Sequence, residues 1–159
     1  MVSIIKEVNK DLNKNMFLQN LLKKEVILKI VRVSEPLQSR RKNEEFIYID
    51  FEVLSDFEGY FTQNKKETYN IKGEIISIGF TLSEVNENKE YRITKGKNIF
   101  NILNYALKIK HMIPINNSSS FFIAYDELYE ALNGLEFKAT STEVKSRDFN
   151  NYLKLEVVE

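Results

Sequence analysis

The 25-residue stretch from Gly134 to Val158 constrains the fold of the chain more than any other stretch. Two runs in which apolar and polar residues alternate flank the polar segment Lys145–Asn151. This arrangement predicts a β-hairpin, because successive side chains of a strand point to opposite faces and a polar segment suits the turn. Lys138, Tyr152 and Lys154 are expected on the outer face of this hairpin. The expected core face consists of Leu135, Phe137, Ala139, Leu153, Leu155 and Val157.

Four earlier stretches also favour strands. Residues 24–34 are rich in β-branched side chains, and residues 90–94 predict a short strand. Residues 68–82 predict a strand with a bulge or bend near Gly73 or Gly79. Residues 45–54 alternate strictly, which predicts one core face and one face that can meet solvent. The core face would hold Ile47, Ile49, Phe51 and Val53, and the other face Phe46, Tyr48, Asp50 and Glu52.

The spacing of apolar residues changes from two to between three and four after Lys97, which predicts a helix to Ile109 or Lys110. Its buried face would hold Ile99, Ile102, Leu103 and Ala106. Residues 111–120 predict a loop. Asp126 is expected to cap a second, short helix through Leu132, and Gly134 is expected to end it in a left-handed conformation.

Strands, then a helix, then a hairpin is the element order of an OB-fold barrel. The sequence therefore predicts a β-rich α+β fold: an OB-like five-stranded barrel with one or two helices before the C-terminal hairpin. Residues 1–22 are interpreted as an N-terminal arm, helical or extended, and residues 23–159 as a single OB-like domain. Whether residues 60–95 supply barrel strands or an insertion is left open.

Composition limits the classes of function. The 159 residues hold 23 basic and 23 acidic side chains, so the net charge is zero. The distribution is uneven: residues 1–42 hold 10 basic and 4 acidic side chains, and residues 43–93 hold 5 basic and 11 acidic ones. A protein of zero net charge can therefore still have a basic face. The separation of a basic segment from an acidic one also suits head-to-tail self-association into a homo-oligomer. The absence of cysteine, of a long apolar run and of a basic-then-apolar start predicts a cytoplasmic protein without a membrane span.

The residues that enzymes use for catalysis are scarce. His111 is the single histidine, and it is interpreted as a surface residue because no recognisable nucleophile motif accompanies it. Lys95-Gly96-Lys97 precedes the predicted helix without the spacing of a phosphate-binding loop. Asp50 and Glu52 share a strand face, and solvated carboxylates explain them better than a metal site. We therefore expect no catalytic residue, no metal and no cofactor.

The sequence does contain the chemistry that binds single-stranded nucleic acid, namely cations for the phosphates and aromatic faces for the bases. In an OB-fold these belong on the second and third strands and on two loops. The alternatives are that Phe46 and Tyr48 are covered by the N-terminal segment or a helix, and that Arg40-Arg41-Lys42 is a solvated hairpin tip. The candidate residues are Arg40, Arg41, Lys42, Phe46, Tyr48, Lys138, Lys145, Arg147, Phe149, Tyr152 and Lys154.

The run Gly134-Leu-Glu-Phe-Lys-Ala-Thr140, a basic turn and Tyr152-Leu-Lys-Leu155 together resemble the C-terminal hairpin of OB-fold single-stranded-DNA-binding proteins from phages and plasmids. The resemblance covers about 25 residues well and the remainder only in strand order. It implies non-catalytic binding of single-stranded DNA in replication, recombination or transfer, with RNA as the other ligand to consider. Two further hypotheses are a protein-interaction module that uses an exposed aromatic strand or β-augmentation, and an enzyme.

Overall fold

A computed structural model describes residues 12–40, 44–61, 67–112, 120–145 and 151–159 of the chain. These residues form three α-helices and ten β-strands. The helices are α1 (Lys14–Asn20), α2 (Phe100–Ile109) and α3 (Tyr125–Leu132). The strands are β1 (Val26–Val33), β2 (Leu37–Gln38), β3 (Glu45–Val53), β4 (Glu58–Gly59), β5 (Tyr69–Asn70), β6 (Ile75–Thr81), β7 (Glu90–Thr94), β8 (Ser120–Ala124), β9 (Glu136–Val144) and β10 (Tyr152–Val157). The predicted β-rich α+β class is confirmed.

The main sheet has the strand order β10-β9-β1-β3-β2, with β6 also paired to β3. β9 thus lies beside β1, and β1, β3 and β6 follow one another, which is the spatial order 4-1-2-3 of a Greek key. β4 and β5 form one two-stranded sheet, and β7 and β8 form another. Among the described residues, the strand pairings of the main sheet form an open path and not a closed ring. The OB-like barrel therefore stays a prediction.

The chain divides into two compact units, and β1, β3 and β6 each contribute residues to both. The first unit comprises residues 1–29, 50–78 and 136–159, and the second comprises residues 30–49 and 79–135. The predicted arm at residues 1–22 and single domain at 23–159 stay predictions. Within that arm the described part contains α1, whose Asn13 side chain caps the helix by accepting from the Asn15 amide at 2.8 Å.

The first unit is built around the predicted hairpin. In β9–β10, Ala139 lies opposite Val157 and Ser141 opposite Leu155, and β1 pairs on the other side of β9, with Val26 opposite Ala139. The rings of Phe51 and Phe137 meet edge to face, with centroids 6.0 Å apart. Of the six residues predicted for the core face of the hairpin, Leu153 and Val157 are only half-buried, and the other four are buried.

The second unit packs α2 and α3 with the remaining strands. The predicted buried face of α2 is confirmed, because Ile99, Ile102, Leu103 and Ala106 are fully buried. Gly134 has φ +78° after α3, as expected for a residue that ends a helix in the left-handed region.

Three predictions about the bounds and caps of helices and strands are wrong. The N-cap residue of α3 is Ala124, and Asp126 lies inside the first turn. There its negative charge interacts favourably with the positive end of the helix dipole. The run 68–82 is not one strand, because Gly73 at φ +87° forms a turn between β5 and β6. Ser120–Ala124 forms β8, although Ser120 was assigned to the loop and no strand was predicted after it.

The faces of β3 are mostly as predicted. Ile47, Ile49, Phe51 and Val53 are fully buried. On the opposite face Asp50 is only 4% exposed, so its assignment to a solvated surface is wrong. Among the described helices, none is long and apolar enough to cross a membrane.

Candidate nucleic-acid interface

The exposed face of β3 in the second unit carries two aromatic rings. Tyr48 is 43% exposed and Phe46 is half-buried, and their centroids lie 5.4 Å apart in an edge-to-face arrangement. Ser34 forms two hydrogen bonds with the backbone of Tyr48. Its hydroxyl accepts from the Tyr48 amide at 2.8 Å, and its own amide donates to the Tyr48 carbonyl at 2.9 Å. The aromatic face is therefore set on a fixed stretch of strand.

Gly79 of β6 lies against the ring of Tyr48. A Cβ atom at position 79 would lie 3.3 Å from Cε1 and 3.6 Å from Cδ1 of that ring. Gly79 has no positive φ, so its backbone does not require glycine. Glycine weakens a strand interior and often marks the close approach of another group. Here that group is the Tyr48 ring, which lies on the bare backbone of β6.

The first basic loop begins beside this face. β2 pairs with β3, with Leu37 opposite Phe46, and the Ser39 amide donates to the Glu44 carbonyl at 2.8 Å. Arg40 follows at the tip of this hairpin and is exposed. Arg41 and Lys42 lie outside the described residues. The structure thus joins one of the three predicted cations to the hairpin that carries Phe46 and Tyr48.

An acidic region marks another border of the aromatic face. The Tyr125 hydroxyl donates to the Ser34 carbonyl at 2.8 Å. Partial burial raises the pKa of Tyr125, and the charges of Glu35 and Asp126 and the neighbouring Tyr129 add to this shift. A phosphate chain would be repelled from this border, so approach from the Arg40 end is electrostatically favoured.

The remaining predicted residues belong to the hairpin of the first unit. Lys154 of β10 lies opposite Thr142 of β9, which shares its face with Lys138 because the two are four residues apart along one strand. Tyr152 and Lys138 are exposed, Lys154 is half-buried, and Lys145 is exposed just beyond β9. Arg147 and Phe149 lie outside the described residues.

The charge on this hairpin face is balanced. Lys138 Nζ lies 3.6 Å from Glu25 Oε2, and both side chains are about half exposed, so the ion pair is worth little. Glu136 and Glu156 alternate on the same face as Lys138 and Lys154. The β3 aromatic pair of the second unit is therefore the stronger candidate site.

Sequence reasoning missed two residues of the second unit. Phe122 of β8 is 52% exposed, and it lies opposite the exposed Arg92 of β7. The available signal was the alternation Glu90-Tyr-Arg-Ile-Thr94, which places Arg92 on the outer face of a strand. Phe122 was not recognised from the sequence because its strand directly follows the polar tract of the predicted loop.

The side chains considered for catalysis or metal binding do not gather into a site in the described part of the chain. His111 is exposed, in a turn with φ +51°. No group of three or more His, Asp or Glu side chains that could hold a metal ion occurs among the described residues.

Comparisons of the chain with protein-family models, with curated proteins and with solved structures gave no match. The resemblance of the C-terminal hairpin to single-strand binders therefore stays a prediction.

Proposed function

We propose that this chain binds single-stranded nucleic acid, preferentially DNA, without catalysing a reaction. The binding surface is the outer face of β3 and β6 in the second unit, with Tyr48 and Phe46 as the base-contacting side chains. The biological setting would be DNA replication, recombination or transfer. The cytoplasmic location and the homo-oligomer expected from the sequence stay predictions beside it.

The strand order supports an OB-like barrel as the scaffold for this function. β1, β3, β6 and β9 have Greek-key order, and β10 follows beside β9. The OB-fold is a partly open five-stranded Greek-key barrel that binds oligonucleotides on its second and third strands. In this chain the second and third strands are β3 and β6.

The observation that carries the proposal is the exposed Tyr48 ring lying on Gly79. Cδ1 and Cε1 of the ring lie against Gly79, the side chain is 43% exposed, and any base can stack on an exposed aromatic ring. Phe46 supports the ring edge to face, and Arg40 supplies a cation at the hairpin tip. Exposed aromatic rings next to cations are what non-specific single-strand binding requires.

Fluorescence anisotropy of a labelled single strand of about 30 nucleotides, about twice the upper site size of an OB-fold, tests this proposal. A duplex of the same length serves as the control. We expect tighter binding of the single strand and a fall in affinity with salt, with a log–log slope of about −0.7 for each phosphate contacted. Absence of binding at low salt, or equal affinity for the duplex, would overturn the proposal.

The alternative is a protein-interaction module without nucleic-acid binding. It is favoured by apolar side chains that remain exposed on strands, namely Ile27 in the first unit and Val31 and Leu37 in the second. This function predicts a mass that rises with protein concentration in light scattering, or a protein partner, together with no oligonucleotide binding. The anisotropy titration separates the two functions directly.

A further inference from the structure

The β7–β8 ribbon of the second unit is attached at the end of the proposed binding face. The Glu45 amide at the start of β3 donates to the Ser83 carbonyl just after β6, at 3.4 Å. The Arg92 amide of β7 donates to the Ser83 hydroxyl at 3.0 Å. β8 then pairs with β7, with Arg92 opposite Phe122.

Arg92 and Phe122 lie on the outer face of the β7–β8 ribbon. The Tyr91 hydroxyl donates to Glu45 Oε1 at 3.0 Å, so β7 contacts β3 at the residue next to Phe46. Tyr91 and Ile93 are buried and Arg92 is exposed, as the alternation of side chains along a strand predicts. Phe122 shares the side of Arg92 because the two are directly opposite in the register.

Phe122 has the character of a contact residue. At 52% it is the most exposed large hydrophobic side chain in the described part of the chain. Its neighbours in β8 are better covered, since Ile123 is fully buried and Phe121 packs on Phe100 with ring centroids 5.7 Å apart. The strand is thus anchored through its other side chains, and burial within this unit does not account for Phe122.

The charge beside Phe122 favours an anionic partner. Arg92 is exposed, and a guanidinium both binds phosphate and stacks on bases. Glu90 is the acidic residue on the same face of β7, and it is half-buried. Lys95, just beyond the strand, is exposed and adds a second cation.

We propose that the outer face of β7–β8 is a second contact site for the same nucleic-acid strand. Phe122 stacks on a base and Arg92 contacts a phosphate. This inference rests on the proposed function. This face adjoins the start of β3 through Ser83 and the Tyr91–Glu45 contact, so a bound strand must extend beyond the Tyr48 site to reach Phe122.

The test compares two labelled oligonucleotides, of about 4 and about 20 nucleotides; the first is at the lower limit of the roughly 4–16 nucleotides that an OB-fold covers, and the second is above the upper limit. The variants are Phe122→Ala and Arg92→Gln, with Tyr129→Ala as the control because Tyr129 is another exposed aromatic residue of this unit, on α3. We expect Phe122→Ala to weaken the longer strand roughly 5- to 150-fold and to leave the shorter one unchanged. Arg92→Gln should reduce the salt slope for the longer strand by about 0.7, and the control should change neither affinity.

The outcomes separate this inference from the function on which it rests. If wild type binds both strands and Phe122→Ala binds the longer one equally well, the second site is wrong and the proposed function stands. Equal weakening of both lengths would also overturn it, because Phe122 would then belong to the first site. If wild type binds neither strand, the proposed function and the second site are both wrong.

Discussion

At the scale of single residues, the contact between Tyr48 and Gly79 links sequence to function most closely. Glycine lowers the stability of a strand interior, and Gly79 has no positive φ to justify it. The sequence pattern suggested a bulge or bend near Gly73 or Gly79, and the structure has a turn at Gly73 and a regular strand through Gly79. The position of the Tyr48 ring explains why glycine stands there.

Gly79→Val should separate binding from stability. Valine favours strands, so we expect the melting temperature to be unchanged or raised. Its branched side chain would occupy the space of the ring, since even a Cβ lies 3.3 Å from Tyr48 Cε1. Single-strand affinity should therefore fall, by up to the roughly 5- to 150-fold expected for losing one stacked base.

Gly96→Val is the matched control for that substitution. A Cβ at position 96 would meet only the Thr94 hydroxyl, at 3.9 Å, so the added side chain has room. Affinity that is unchanged in both variants would show that the place of the Tyr48 ring does not matter for binding.

Tyr91 gives a residue-scale prediction about pH. Burial raises the pKa of its hydroxyl, and the hydrogen bond to Glu45 and its negative charge raise it further. An unfolded tyrosine ionises near pH 10. The stabilisation that the raised pKa of Tyr91 gives the folded state is therefore complete below about pH 10. It is lost as the pH rises from there, because the unfolded chain releases a proton that folded Tyr91 retains.

Tyr91→Phe should therefore cost about 1 kcal/mol of unfolding free energy at pH 7, the net value of one hydrogen bond. Above about pH 10 this deficit should shrink by up to about 1.4 kcal/mol per pH unit, since only wild type carries this linkage. Urea unfolding of both proteins from pH 7 to pH 11 measures the difference. A deficit that stays constant across that range would contradict the assignment of the raised pKa to Tyr91.

At the scale of elements, α1 shows how a short helix is kept in place. Seven residues are too few for a helix that is stable alone. The Asn20 side chain donates to the Met16 and Tyr60 carbonyls at 2.8 and 2.7 Å, and it accepts from the Tyr60 amide at 3.0 Å. The Ser141 hydroxyl of β9 donates to the Leu18 carbonyl. The helix is thus held by specific polar contacts as well as by buried Phe17 and Leu18.

Asn20→Ala should lower the free energy of unfolding by about 1–3 kcal/mol, because Tyr60 loses its hydrogen-bond partner on both backbone groups. Gln19→Ala in the same helix is the control, since Gln19 is exposed and alanine is the better helix former. Urea unfolding of the two variants measures the effect. Equal stability would mean that the Asn20 contacts do not hold α1.

The elements also show where local sequence signals fail. The strict alternation of residues 45–54 predicted the core face of β3 correctly, because an uninterrupted strand face of β-branched and aromatic residues is normally buried in a core. Asp50 was misplaced, since alternation gives the face of a side chain but not what covers that face. β8 was missed because five residues after a polar tract carry too little pattern to distinguish a strand from the end of a loop.

At the scale of the whole molecule, the sequence predicted the class of fold and the kinds of side chain, but not which of them come together. The β-rich α+β class and the hairpin were predictable because they follow from local periodicity. The pairing of β9 with β1 joins segments from opposite ends of the sequence, with Val26 opposite Ala139, and no local pattern encodes it. Of the candidate interface, the aromatic face of β3 was predictable, whereas Gly79 beneath Tyr48 and the pair Arg92–Phe122 depend on neighbouring strands.

The measurement that tests the central claim most directly is the affinity of Tyr48→Ala for a labelled single strand, compared with wild type and Tyr60→Ala. Tyr60 is a fair control because it is 45% exposed, close to the 43% of Tyr48, and belongs to the other unit. We predict that Tyr48→Ala binds roughly 5- to 150-fold more weakly while Tyr60→Ala binds like wild type. Wild-type affinity in Tyr48→Ala, or an equal loss in both variants, would contradict the proposal that the β3 face binds the strand.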